Sequence, residues 1–213
     1  PVVERHNGNG TSRLVIVNDG SKDNTFEILQ ENAKQRPLLE PLTKSNGGHG
    51  PTVLFGYRHA IKNGADFIFQ TDSDRQTNPN EFEQFWELRG DYDAVIGARP
   101  HRQDGTSRKF VEHILLFILR VIFGIKVPDS NAPFRLMKRN LVEKYINKMP
   151  EDFNLPNVML TTYFAYFQEK IKFIEITFKP RQAGSNSINI KKIIKIGWKA
   201  LGDFRNLKIH IND

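Results

Sequence analysis

Apolar positions in the first hundred residues alternate between short strand-like runs and helical spacings. Leu14-Val15-Ile16-Val17 is a β-branched run closed by the turn-forming Asn18-Asp19-Gly20-Ser21. Ser21 or Asp23 then caps a helix running through Phe26, Ile28 and Leu29. A short strand is expected at Leu38–Leu42. After the Asn46–Pro51 loop, Val53, Leu54, Tyr57 and Ile61 mark one face of a helix that stops at Asn63-Gly64. Phe67-Ile68-Phe69 reads as a buried strand ending in Thr71-Asp72-Ser73-Asp74, Asn78-Pro79 precedes a further helix, and Asp93–Gly97 supplies another short apolar run. Strands alternating with helices of about ten residues imply βαβ units, and so an α/β fold built on a parallel sheet. In such sheets ligands sit beyond the carboxyl ends of the strands, where one sheet would carry both Asp19 and Asp72/Asp74.

The pattern changes after residue 100. Phe110, Ile114, Phe117 and Val121 form one stripe of a helical stretch over 110–123, while Leu115, Leu116, Ile118, Leu119 and Ile122 spread apolar surface around it. The unbroken run Ile114–Leu119 is far shorter than the roughly 20 residues that span a bilayer. Two readings remain open: a core helix, or a helix lying in a membrane interface between Arg108, Lys109, Arg120 and Lys126. Residues 171–179 alternate as a strand, and residues 189–201 form a basic amphipathic helix with Ile190, Ile194, Trp198 and Leu201 on one side.

Composition narrows the classes. The 213 residues contain 38% hydrophobic and 26% charged side chains and no cysteine, which fits a globular chain and excludes disulfides and thiolate metal sites. The net charge of +7 is uneven: residues 1–98 carry 10 basic and 14 acidic side chains, and residues 99–213 carry 21 and 10. A basic half suits an anionic partner, whether nucleic acid, a phosphorylated ligand or a membrane surface. The first residues hold no apolar leader run. Asn9-Gly10-Thr11 matches a glycosylation sequon that carries little weight without an export signal.

Asp72-Ser73-Asp74 is the sharpest chemical signal. Two carboxylates two residues apart in a tight turn can share a hard divalent cation, with Gln76 within reach as a third oxygen donor. Glu83 falls at position twelve of an EF-hand loop beginning at Asp72, but Thr77 stands where that loop needs glycine, and a strand precedes it. Asp19 is either part of a simple strand-to-helix turn or a carboxylate at the ligand edge, accepting from a base or ribose.

Six ordered segments then carry a resemblance: Val17–Thr25, Asn46–Gly50, Asp72–Gln76, Gly97-Ala98-Arg99, Pro128–Arg135 and Arg181–Ser185. Together the chain resembles an inverting family 2 glycosyltransferase of the GT-A fold, in the branch of dolichol-phosphate mannosyltransferase and bacterial polyprenyl-phosphate glycosyltransferases. The resemblance implies a mostly parallel central sheet flanked by helices. It implies a single domain over 1–213, with a nucleotide- and metal-binding part at 1–98 and an acceptor-binding part at 99–213 that bears the basic helix. It implies transfer of a sugar from a UDP- or GDP-sugar to a polyprenyl phosphate, at the cytoplasmic membrane face, where an anionic surface becomes a partner. Family members normally begin with an apolar strand ending in a Pro-x-Tyr-Asn-Glu-like segment. Nothing before Leu14 matches it, so that strand is expected to be missing.

Residue by residue, the resemblance implies that Asp19 contacts the nucleoside, Asp72 the ribose or metal, and Asp74 with Gln76 holds Mg²⁺ or Mn²⁺ against the diphosphate. Arg99, Arg135 and Arg181 stand where related enzymes place cations near donor or acceptor phosphates, a task suited to the planar guanidinium fork. A hydroxyl acceptor would need a general base, with Asp129 and Asp152 as candidates, whereas a phosphate acceptor is already ionised and leaves Asp129 to orient a substrate. His49, between glycines, reads as a turn or phosphate residue. Arg75 departs from the branch, which usually has a small or apolar residue there. The rival readings are sugar transfer to a soluble or polysaccharide hydroxyl, and a nucleic-acid-binding module, for which no recognition motif is present.

Overall fold

In the computed structural model, residues 2–8, 10–100 and 106–180 are described, together with Gly202 and Phe204. The expected helix over 189–201 and Arg181 lie outside them. The chain divides into two compact units, one formed by Pro1–Gly64 with Pro150–Pro156 and the other by Ala65–Met149 with Asn157–Asp213.

The first unit opens with the short helix α1 (Val2–Arg5). Strand β1 (Leu14–Asn18) pairs in parallel with β2 (Leu39–Thr43), in a register that sets Val15 opposite Glu40 and Asn18 opposite Thr43. Helix α2 (Thr25–Gln35) makes the crossover and α3 (His49–Lys62) follows β2. Neither expected cap takes that place: Asn24 is the N-cap, with no side-chain capping bond, and Asp23 Oδ1 accepts from the Thr25 amide at 3.1 Å just ahead of it. Leu54 and Tyr57 bury the core face of α3. Gly50 is required there: a Cβ would sit 2.3 Å from the Phe153 carbonyl oxygen, so the 150–156 segment lies directly against the start of α3.

The second unit is a four-stranded sheet in the order β3 (Phe67–Gln70), β5 (Arg135–Lys138), β4 (Ala94–Ala98), β6 (Ile171–Glu175). β4 and β6 are parallel, as the βαβ pattern predicts. β5 is the exception: it runs antiparallel between β3 and β4, with Arg135 opposite both Gln70 and Ile96. Its four residues, Arg-Leu-Met-Lys, are too short and too charged at the ends to give a strand signal. Asp19 and Asp72 therefore follow strands of two different hydrogen-bonded sheets, where a single sheet was expected.

Helix α4 (Phe82–Glu87) covers the sheet through an aromatic cluster, Phe69 lying edge-on to Phe82 at 4.8 Å and to Phe134 at 4.7 Å. Helices α6 (Arg139–Ile146) and α7 (Pro156–Tyr166) complete the core. α7 is apolar on all sides and correspondingly buried, and the hydroxyls of Thr161 and Thr162 are satisfied by the carbonyls of Asn157 and Val158 in the preceding turn.

Helix α5 (Thr106–Phe123) has a buried side and an exposed one. Leu119 and Phe123 are buried, while Phe110, Phe117 and Val121 are each 67% exposed and Ile114 is 42% exposed. His113 and Arg120, also exposed, flank this outer stripe. No helix among the described residues is long and apolar enough to cross a membrane.

Candidate functional site

In the first unit, the turn after β1 interlocks with the loop after β2. Gly20 is in the left-handed region at φ 64°, and a Cβ there would lie 2.6 Å from the Asn46 amide nitrogen, so only glycine admits this approach. The Asp19 carboxylate is the centre of the contact. It accepts from Lys44 Nζ at 2.6 Å, from the Gly47 amide at 2.9 Å and from the Gly48 amide at 2.8 Å, and the Thr52 hydroxyl adds a further bond. Asn46 Nδ2 donates to the Asp19 carbonyl at 2.8 Å. Burial pushes the carboxyl upward, but the lysine and the backbone donors outweigh it and hold its pKa at about 2. A carboxylate offers about four acceptor positions, and here they are largely filled from within the chain. Asp19 thus fixes the Lys44–Gly48 loop at the carboxyl end of β1 and β2. The sequence reading missed Lys44, which has no motif of its own. His49 is the first residue of α3, and Asp152 is exposed in the 150–156 segment.

In the second unit, the topology gathers one edge of the four-stranded sheet. The carboxyl ends of β3, β4 and β6 and the amino end of antiparallel β5 all lie there, bringing together Asp72, Asp74, Arg99, Asp129, Arg135 and residues 176–179.

The turn over 71–77 is held at several points. Thr71 and Thr77 share a hydrogen bond between hydroxyls at 3.1 Å, and Asp74 Oδ1 accepts from the Gln76 amide at 3.1 Å. Gln76 is 3% exposed and doubly tied to Lys179: its Nε2 donates to the Lys179 carbonyl at 2.9 Å, and its own carbonyl accepts from the Lys179 amide at 2.8 Å. Thr77 forms an antiparallel bridge with Phe178. Asp74 keeps its second carboxylate oxygen, and Gln76 keeps only its carboxamide oxygen, as donors to a cation. Hard divalent ions take such oxygens, completing their shells with water and phosphate. Asp72, Asp74 and Gln76 fit that need. Among the described residues no cluster of three or more His, Cys, Asp or Glu side chains offers an all-protein alternative.

Arg99 and Asp129, read from the sequence as a diphosphate cation and a base or orienting group, meet each other instead. Arg99 Nε donates to Asp129 Oδ2 at 2.7 Å and Nη2 to Oδ1 at 3.0 Å, with the residues 8% and 1% exposed. The Asn131 amide adds a bond at 3.0 Å. Burial raises the Asp129 pKa, and the Arg99 hydrogen bonds and charge override it, leaving the carboxyl below its usual value. A buried carboxylate already committed to a guanidinium is a weak proton acceptor. Arg99 also lies over the Phe178 ring at 4.9 Å, which connects this pair to the bridge beside Gln76. Gly97 makes room for this arrangement, since a Cβ there would lie 2.8 Å from the Ile176 side chain.

Arg135 is likewise engaged within the protein. It is fully buried, donating from Nε at 3.0 Å and Nη2 at 2.6 Å to the Ala132 carbonyl and from Nη1 at 3.2 Å to the Asn157 carbonyl. It pins the Asp129–Phe134 turn to α7 and has no solvent face for a phosphate.

The family described as glycosyl transferase family 2 matches residues 5–146. The chain is 24% identical over 191 residues to an undecaprenyl-phosphate 4-deoxy-4-formamido-L-arabinose transferase of Pectobacterium carotovorum, covering 88% of this chain and 56% of that protein. It is 28% identical over 204 residues to a prophage bactoprenol glucosyl transferase homolog of Escherichia coli, covering 93% and 63%. The chain thus spans little more than half the length of these curated relatives. Glucosyl-3-phosphoglycerate synthase from Mycobacterium tuberculosis, crystallised with Mn²⁺, uridine diphosphate and glucosyl-3-phosphoglycerate, shares the fold with a TM-score of 0.62 at 14% identity, covering 92% of this chain and 68% of that one.

Proposed function

The chain belongs to glycosyl transferase family 2, and on that premise we propose that it transfers a sugar, with inversion, from a UDP- or GDP-sugar to a polyprenyl phosphate. The carrying observation is the clamped turn over 71–77, which offers two carboxylates and a carboxamide oxygen at the ligand edge of the sheet. A bound Mg²⁺ or Mn²⁺ would neutralise the diphosphate as it leaves the anomeric carbon. Asp72, Asp74 and Gln76 would hold that ion, and the Arg99–Asp129 pair sets the shape of the adjoining edge. Asp19 acts on the nucleoside end through the Lys44–Gly48 loop that it orders. Arg181 supplies a further cation to the donor. Residues 1–98 take nucleotide and metal, and residues 99–213 the acceptor.

Two features favour a phosphate acceptor over a hydroxyl. Asp129 is buried and paired, so the strongest candidate base is withdrawn, and an ionised phosphate needs none. The outer stripe of α5, apolar, bordered by Arg120 and without an exposed acidic side chain between residues 110 and 123, suits the anionic surface of a lipid bilayer in which such an acceptor resides.

The test is thermal unfolding with UDP or GDP in the presence of Mn²⁺, followed by nucleotide release on addition of undecaprenyl phosphate. A nucleoside diphosphate raises the melting temperature of the wild type and not of Asp74→Ala, in proportion to ligand concentration over Kd. Salt-steep binding of DNA or RNA with no nucleotide response overturns the proposal.

A further inference from the structure

Arg75 is the one position in the metal turn that neither geometry nor chemistry explains so far. Its φ of 61° puts it in the left-handed region, which among the described non-glycine residues only Gln168 shares. Side chains other than glycine, asparagine and aspartate are unfavourable there, and such a residue persists only where the surroundings over-determine the backbone. The Thr71–Thr77 and Gln76–Lys179 bonds supply that constraint. Glycine would relieve the strain at no steric cost, yet the chain carries its longest cationic side chain.

The guanidinium is exposed and, among the described residues, has neither a hydrogen-bond nor an ion-pair partner. It stands one residue from Asp74 and three from Asp72 without folding back onto either carboxylate. Without a cation, a diphosphate approaching this turn would meet two carboxylates. Arg75 gives it one permanent positive charge, in a planar fork suited to two phosphate oxygens.

Resting on the glycosyltransferase reading above, we infer that Arg75 is a donor-diphosphate-binding residue built into the metal turn, giving the protein a component of nucleoside-diphosphate affinity that does not depend on the divalent ion. Arg75 contacts the same phosphate oxygens that the ion would neutralise. Affinity in the absence of metal therefore reports Arg75, and affinity in its presence reports both.

The experiment is calorimetric titration of wild type, Arg75→Gly and Arg75→Lys with UDP, GDP and uridine, each in excess Mn²⁺ and in EDTA, with melting temperatures measured in parallel. In EDTA, Arg75→Gly should bind the nucleoside diphosphate about 10-fold or more weakly than wild type, Arg75→Lys falling between, as expected for losing a charged bidentate contact. In Mn²⁺ the deficit should shrink, and uridine, having no phosphates, should bind all three alike. Arg75→Gly should melt no lower than wild type, so lost affinity is not lost fold. The inference is overturned if the wild type shows no diphosphate binding in EDTA while binding it in Mn²⁺. It is equally overturned if Arg75→Gly matches wild type in EDTA and only tightens Mn²⁺, since the guanidinium then merely repels the ion. If the wild type binds neither UDP nor GDP even with Mn²⁺, the glycosyltransferase reading falls with it.

Discussion

Arg99 and Asp129 form a two-pronged ion pair inside the protein, Nε to Oδ2 at 2.7 Å and Nη2 to Oδ1 at 3.0 Å, with almost no solvent contact. Each looks in the sequence like a charge offered to a substrate. Each is instead neutralised by the other, and together they brace the ends of β4 and the turn before β5.

Breaking one partner should therefore cost more than losing both. Asp129→Ala leaves a buried guanidinium uncompensated, and about 3–5 kcal/mol of stability should go with it, whereas Arg99→Met combined with Asp129→Leu should recover much of the loss. Urea unfolding of Arg99→Met, Asp129→Leu and the double measures the coupling. The pH dependence follows from the sign of the shift. Asp129 has a depressed pKa in the folded state, so its contribution is complete above the ordinary value of 3.8 and declines as pH falls below it. Asp129→Asn should flatten that part of the acid-unfolding curve.

Asp19 should keep its loop ordered well into acid. Its pKa of about 2 lies below the ordinary 3.8, so the staple is intact above that ordinary value and is lost as pH falls toward 2. The Gly47 and Gly48 amide resonances should stay fixed from neutral pH to about 4 and move only below it. In Lys44→Met they should begin to move at higher pH, because the leading hydrogen bond that lowers the Asp19 pKa is gone.

Two glycines should respond differently to a single added methyl. At Gly50 the new Cβ meets the backbone of Phe153 and Asn154, which cannot yield without moving the segment, so Gly50→Ala should destabilise by about 3 kcal/mol or more. At Gly97 the obstacle is the Ile176 side chain, so Gly97→Ala should cost about 1–3 kcal/mol and be largely rescued by Ile176→Val. Equal losses, or no rescue, would show that residues 97 and 176 do not approach as described.

The outer stripe of α5 separates stability from membrane contact. Phe110→Ser with Phe117→Ser removes side chains that are each 67% exposed, so the melting temperature should hold nearly constant. Sedimentation with vesicles rich in anionic lipid should fall sharply. Unchanged sedimentation would leave the stripe as ordinary exposed apolar surface.

Most of the α/β arrangement was readable in the sequence, because β1, β3 and β4 are almost wholly apolar runs and the helices between them are periodic. β5 was not, being four residues with charges at both ends, and it is the strand that makes the larger sheet mixed. The turn at Asp72–Gln76 was legible because carboxylate spacing is local information. The fates of Arg99, Asp129 and Arg135 were not, because which charge buries against which depends on contacts 30 residues apart for the first two and on the backbone of α7 for the third. Lys44 was missed for the same reason: its partner Asp19 lies 25 positions away. Motif reading located the edge of the sheet, and it could not distinguish charges aimed at a ligand from charges holding the edge together.

The Gln76–Lys179 clamp joins residues 103 positions apart, and the Thr77–Phe178 bridge closes nearly the same span. Contacts so distant in sequence form slowly, because a large loop must close before they are made. During synthesis the 71–77 turn leaves the ribosome long before its clamp does. The carboxylates would thus wait, unbraced, until residues 177–179 arrive. Bracing of this turn should then wait until some hundred further residues have been made.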